Sequence, residues 1–440
     1  MIELSKEEFI SKTTETDTMN LQERDKKHLW HPLTQHKIHP DALPIVKATG
    51  ALLYDDQGKT YIDGIASWYT AMYGHCNPYI IQKVKEQMCV LDQIVFAGFT
   101  HEPAIRLSEE LIHILPDNQQ KIFFSDNGST ANEVGIKMAL QYYFNRGEKR
   151  NVIIAFEDGF HGDTFGAMSA SGLSVYNGPF EDFFIDVKRI PTPTSQNIAE
   201  VLKQLQNIIN NNQVAAFIYE PLVQGANAMH MFKADHLNKI LEICKKNEVL
   251  TIADEVMTGF GKTGKNFASE YIDTKPDIIS MSKALTAGFV PMAVTSCTQN
   301  IYDAFLDDSV GKAFFHAHTY SANPIACSVA LAGIELLRSE EIQNNIQRIM
   351  VSHQEFDTKI RNHHKVQSTR QIGVIYALDL NINMDRYGKK RYEIFEHFMK
   401  NGIALRPLGN TIYILPPYVI TEKELNTIYK AIVVLLDTII

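Results

Sequence analysis

Lysine is seldom buried, yet Lys283 directly follows an apolar run, IISMS at 278–282, and precedes the small residues ALTAG. An amine desolvated at the end of a buried segment has a lowered pKa and can act as a nucleophile. Four other apolar runs also end in residues able to do chemistry. KIFF (121–124) leads into SDNGSTANE, where Gly128 and Ser129 open a helix-like stretch. Free N–H groups and the dipole at such a helix start suit a phosphate. Thr130 and Glu133 there have capping-box spacing. NVIIAF (151–156) is followed by EDGFHGDTFGAMS, which sets Phe160 and His161 between glycines, where an aromatic plane can stack on a flat ring. VAAFIY ends at Glu220, with Gln224 just beyond it. VLTIA ends at Asp254, a carboxylate placed for burial and so in need of a cationic or hydrogen-bonding partner. Singly, these residues also read as a capped helix, a core aromatic, a solvated Glu220, a structural salt bridge and a surface lysine.

The elements that must position them alternate. Helical stretches such as PYIIQKVKEQMCVLDQI and EPAIRLSEELIHIL separate the short apolar runs, which predicts a parallel sheet with helices on both faces. In such sheets ligands bind beyond the carboxyl ends of the strands, which is where all five groups fall. A phosphate turn, a stacking aromatic, a buried Asp and a lysine on one sheet edge are what pyridoxal 5'-phosphate requires. Upstream, PIVKATGALLYDDQGKTYIDG predicts a hairpin or meander. Downstream, a long helix is expected from Asn323 to about Met350, followed by mixed strands and helices. The fold class is therefore α/β: a large domain at 76–330, and a smaller α+β domain built from both chain ends, 1–75 and 331–440. Residues 1–25 are expected to pack loosely.

Bulk properties narrow the function. The chain has 440 residues, 45% hydrophobic and 21% charged, with a formal charge of −9. This composition suits a soluble globular protein and offers no nucleic-acid footprint. No run has the length of a membrane span, and MIELSKEEFISKTTETD lacks the regions of a signal peptide. Cys76, Cys89, Cys244, Cys297 and Cys327 are scattered without a CxxC pair, which fits reduced thiols in a cytoplasm and no metal site.

DEVMTGFGKTG followed by SKALTAGFVPMA resembles the signature of the fold-type I, class III aminotransferases dependent on pyridoxal phosphate. HLWHPLTQ, DGIASWYTAMYGHCNP, FAGFTHEPA, FSDNGSTANEVGIKMALQYY, GFHGDTFGAMS, HTYSANPIAC and RPLGNTIYILPPY are similar to one family within them, the biotin-pathway 7,8-diaminononanoate synthases. The resemblance implies a homodimer that moves an amino group from S-adenosylmethionine to 8-amino-7-oxononanoate in ping-pong fashion. Lys283 would bind the cofactor covalently and shuttle the proton. Asp254 would pair with the pyridine nitrogen, with His161 among the cofactor contacts. Val256 and Phe160 would cover the two ring faces. Gly128 and Ser129 would hold the phosphate, helped by Thr319 from a second subunit. Trp68, Tyr69 and Gly288 would line the substrate pocket, Arg406 would bind the substrate carboxylate, and Asp163 would lie near the reacting amine. Leu33 and Phe160 stand where the family often has tyrosine, Ala317-His318 where it has Gly-Pro, and Ser282 where it often has Gly. The alternatives to this reading are lysine as the donor, another class III enzyme acting on ω-amino acids, an aminomutase, and a non-catalytic cofactor-binding module.

Overall fold

The computed structural model describes residues 19–386 and 388–438. The apolar–polar alternation after residue 44 folds as an antiparallel meander of β1 (Ile45–Thr49), β2 (Leu52–Asp55) and β3 (Thr60–Asp63). The central sheet has seven strands: β4 (Gln119–Ser125), β5 (Val152–Phe156), β6 (Val187–Ile190), β7 (Val214–Tyr219), β10 (Leu250–Asp254), β11 (Ile278–Met281) and β12 (Ala293–Thr298). Between β7 and β10 lies a short hairpin of β8 (Val223–Gln224) and β9 (His230–Met231). The spatial order is β4-β12-β11-β10-β7-β5-β6. Strands β5, β7, β10 and β11 are buried along their whole length, as expected of strands covered on both faces. The helix Gly128–Asn145 covers one face, with Val134, Ile136 and Ala139 packed among Ile153, Ile218, Ile252 and Ile278.

One strand runs against the rest. β12 pairs antiparallel with both β11 and β4, and the alternation of runs and helices did not single it out. Its start therefore lies at the same edge as the ends of its neighbours, and Met292 accepts a hydrogen bond from Ser282 Oγ at 2.8 Å.

At the C-terminal end, β13 (Val366–Ile372), β14 (Ile375–Leu380) and β16 (Thr411–Ile414) form a second antiparallel sheet, while β15 (Ile403–Ala404) pairs in parallel with β3. The two ends of the chain thus share a sheet. The helix expected over 323–350 is two helices, Pro324–Arg338 and Glu340–Ile360. Ser339 ends the first and caps the second, its Oγ accepting from Ile342 N at 3.3 Å. Glu340 and Glu341 follow it in the first turn, where they complement the helix dipole. The stretch from Pro78 stops being helical at Met88 instead of continuing to Ile94. The expectation for residues 1–25 lies largely outside the described residues; within them Leu21–His28 is a helix closed by an Asn20–Glu23 capping box and without a buried residue.

Replacing Ser339 with Ala removes the cap and should cost about 1 kcal/mol of stability, read from the urea midpoint of the purified protein at unchanged m-value.

Candidate active site

The carboxyl ends of β4, β5, β7, β10 and β11 deliver one cluster. Asp254 closes β10 and is almost fully buried. Its Oδ2 accepts from Asn132 Nδ2 and from His161 Nδ1, both at 2.8 Å, and its Oδ1 accepts from Val256 N at 3.1 Å. Asn132 lies four residues after Gly128, one turn into the helix, and also donates to His161 O at 2.8 Å. That spacing alone could have signalled a side chain facing back toward the helix start.

The start of the helix at Gly128 is built by close packing. Asn127 caps the helix, its Oδ1 accepting from Thr130 N at 3.0 Å, so the capping box is Asn127–Thr130 and not Thr130–Glu133. Glu133 instead accepts from Gly166 N at 2.6 Å and Ala167 N at 2.9 Å, fastening the next helix to this one. A Cβ on Gly128 would sit 2.7 Å from Val256 Cγ1, and one on Gly162 would sit 2.2 Å from Ser129 Oγ. Ser129 Oγ is 2.7 Å from Thr164 Oγ1 and accepts from Thr164 N at 3.0 Å.

Glu220 differs from its sequence reading as a solvated carboxylate. It is 5% exposed, and its two oxygens accept from Phe160 N and Gly225 N, each at 3.0 Å. Burial pushes its pKa from the ordinary 4.5 to about 7, with Asp254 adding to the rise and His161 opposing it. Phe160 is held through its backbone in this way, and the residue is 44% exposed.

Lys283 adopts φ 52°, in the left-handed region. Burial lowers its amine below the ordinary value, opposed by Asp254 and Glu220. Its Nζ stands 5.1 Å from the centre of the Tyr69 ring, and Tyr69 Oη donates to Tyr413 Oη at 3.1 Å. Gly288, at φ 78°, brings the segment after the lysine against the same turn: a Cβ there would meet Thr70 Oγ1 at 3.0 Å. Trp68 is half exposed, with the Arg406 guanidinium 5.8 Å from its ring. Asp163 and Thr319 are exposed, and Thr319 O accepts from Gln93 Nε2 at 2.9 Å. A second lysine escaped the sequence reading. Lys262 in GFGKTG is fully buried, its Nζ has no hydrogen-bond partner, and burial and then Lys283 hold it well below the usual amine range.

A family model described as aminotransferase class-III matches residues 34–436. The chain belongs to the class-III aminotransferases. It is 41% identical to an adenosylmethionine-8-amino-7-oxononanoate aminotransferase of Synechococcus elongatus, over 94% of this chain and 99% of that protein. The crystal structure of the enzyme of that name from Methanocaldococcus jannaschii aligns with a TM-score of 0.88 at 33% identity, covering 94% of this chain and 98% of the other. An amine transaminase from an uncultivated Pseudomonas species, in its PLP-bound form, aligns with a TM-score of 0.86 at 28% identity, covering 92% and 97%. The chain is an aminotransferase of the fold-type I architecture, and its cofactor is pyridoxal phosphate.

The residues present fit that cofactor. Asp254 receives only N–H donors and can accept one more from a protonated ring nitrogen. Asn132 Oδ1 and His161 Nε2, beside it, are buried without partners. The amine of Lys283 is desolvated, and Gly128 and Ser129 open a helix whose first two N–H groups have no intrahelical acceptor. Among the described residues no helix is long and apolar enough to cross a membrane, and no cluster of His, Cys, Asp and Glu could hold a metal ion.

The raised pKa of Glu220 has a sign that can be tested. Between 4.5 and about 7 the folded chain holds a proton that the unfolded chain has lost, so this residue makes stability fall as pH rises through that interval. Glu220→Gln cannot ionise and should lack that fall; thermal unfolding of both proteins across the interval reads the difference.

Proposed function

We propose that this aminotransferase converts 8-amino-7-oxononanoate to 7,8-diaminononanoate, with S-adenosylmethionine as the amino donor, a step of biotin biosynthesis. The observation that carries the reading is the 41% identity, over nearly the whole of both chains, to a protein named for that substrate pair. The geometry agrees in kind. Arg406 beside Trp68 can grip a carboxylate with two parallel hydrogen bonds, and the aromatic wall suits the aliphatic chain between that carboxylate and the ketone.

Bound here, the cofactor supplies an electron sink that makes the α-proton of an amine acidic, and it carries the amino group from one substrate to the other. The protein supplies the rest. Asp254, anchored by Asn132 and Val256, keeps a proton on the ring nitrogen. Lys283 Nζ, held toward its neutral form by burial, would anchor the cofactor and, once displaced by the donor amine, would take the proton from the donor α-carbon and return it to the carbon on the far side of the amino nitrogen. Phe160 and Val256 cover the ring faces, and His161 fixes Asp254 from behind. The first N–H groups of the helix at Gly128 and Ser129 hold the phosphate. Asp163, as the resemblance implies, would approach the reacting amine, and Tyr69 and Gly288 would close the pocket over Lys283.

We further propose a homodimer in which Thr319 completes the phosphate site of the other copy. Residues 19–75 and 331–438 form the small domain, supported by the β3–β15 pairing. The five cysteines, none of them in a disulfide, suit the cytoplasm.

Lys283→Ala should lower formation of 7,8-diaminononanoate by roughly 10² to 10⁴-fold or more, measured by mass spectrometry; turnover at the parent rate would sink the assignment. For the donor, holoenzyme is mixed separately with S-adenosylmethionine and with lysine. Bleaching of the visible cofactor band by S-adenosylmethionine alone is expected; bleaching by lysine alone would overturn the donor assignment.

A further inference from the structure

Residues Ala66, Ser67, Trp68 and Tyr69 all have positive φ, at 46°, 45°, 67° and 72°. They make one turn of left-handed helix, closed by Tyr69 N→Ile65 O and Thr70 N→Ala66 O at 2.9 Å. None of the four is glycine, so the conformation is unfavourable locally and must be imposed from outside. The same turn presents Trp68 toward Arg406 and Tyr69 toward Lys283.

A single buried carboxylate bonds the turn at two points. Asp63 Oδ1 accepts from Ile65 N at 3.2 Å, at the entry to the turn. Asp63 Oδ2 accepts from Ser67 Oγ at 3.0 Å, inside the turn, and from His75 Nε2 at 2.8 Å. The Asp63 side chain is 2% exposed and that of His75 15%. Both are fixed by their backbones. Asp63 ends β3 in register with Ala404 of β15, two residues before Arg406, and His75 exchanges both backbone hydrogen bonds with Gly50 beside β1. One carboxylate therefore ties the turn to the strand that leads to Arg406.

We propose that Asp63 and His75 are positioning residues for the acceptor substrate: through Ser67 and Ile65 they hold the left-handed turn that sets the Trp68 indole against Arg406. Their action is on acceptor binding through Trp68; Tyr69 has its own anchor in the bond to Tyr413 Oη, so the proton transfers at Lys283 are spared. The substrate part of this inference rests on the function proposed above.

The chain has two tryptophans, and Trp30 is 91% exposed, so Trp30→Phe leaves Trp68 as the single fluorescent reporter. In that background, Asp63→Asn and His75→Ala should raise the acrylamide quenching of Trp68 at least about twofold. Both should raise KM for 8-amino-7-oxononanoate about tenfold in the holoenzyme, and leave the donor half-reaction within about threefold. His75→Gln, whose amide can still donate to Asp63, should restore both readings. If Asp63→Asn does not fold, Ser67→Ala, which deletes only the hydroxyl bond, takes its place. Unchanged Trp68 quenching, or a donor half-reaction that falls as much as acceptor binding, would overturn the proposal. If the parent enzyme does not use the keto acceptor, the function reading fails, and the quenching comparison still decides whether this pair holds the turn.

Discussion

Burying the carboxylate of Asp254 at the end of β10 constrains nearly everything around it. Removing an ion from water carries a penalty on the order of several kcal/mol unless donors replace the water. Three donors do so, and each comes from a different segment: Asn132 from the helix after β4, His161 from the loop after β5, and Val256 from its own strand end. Satisfying Asp254 therefore docks the helix start and the β5 loop at one point. That docking presses Gly128 onto Val256 and Gly162 onto Ser129, so tightly that a Cβ at either glycine would collide. The helix start at Gly128 and the carboxylate of Asp254 are set by the same set of hydrogen bonds.

A second constraint is backbone strain. A left-handed conformation costs roughly 1–2 kcal/mol per non-glycine residue, so the four residues of the Ala66–Tyr69 turn carry about 4–8 kcal/mol. That is comparable with the whole net stability of a typical domain, about 5–15 kcal/mol. Lys283 and Ala287 add to the same account, each at φ 52°. Strain of this size persists only where tertiary contacts over-determine the backbone, as at the lysine and the turn facing it.

The strand-end logic made much of the large domain legible. The five apolar runs are strands of one sheet, and Lys283, Asp254, Phe160 and Gly128 lie where those strands end. What escaped was set by partners distant in sequence. Glu220 read as solvated because nothing near it in the chain announces that Phe160 N, 60 residues upstream, will bury it. β12 was missed because its antiparallel entry is a property of the sheet order and has no local signature. The single helix over 323–350 failed for the opposite reason: the apolar periodicity runs on through Ser339, and only the cap chemistry of Ser-Glu-Glu marks the break.

The pocket has two ends built by different mechanics. The end carrying Asp254 and Lys283 depends on the central sheet. The end carrying Trp68 and Arg406 depends on β3 and β15, which join the first and last parts of the chain, as does the Tyr69–Tyr413 hydrogen bond across 344 residues of sequence. The two ends meet where Lys283 faces Tyr69 and Gly288 packs on Thr70. Changes to the turn can therefore reshape the pocket wall without disturbing the hydrogen bonds of Asp254. An amine transaminase at 28% identity and an adenosylmethionine-8-amino-7-oxononanoate aminotransferase at 33% both share this fold at TM-scores of 0.86 and 0.88. If the turn recognises the substrate as proposed, such a scaffold can keep the sheet-borne end of the pocket while varying the other.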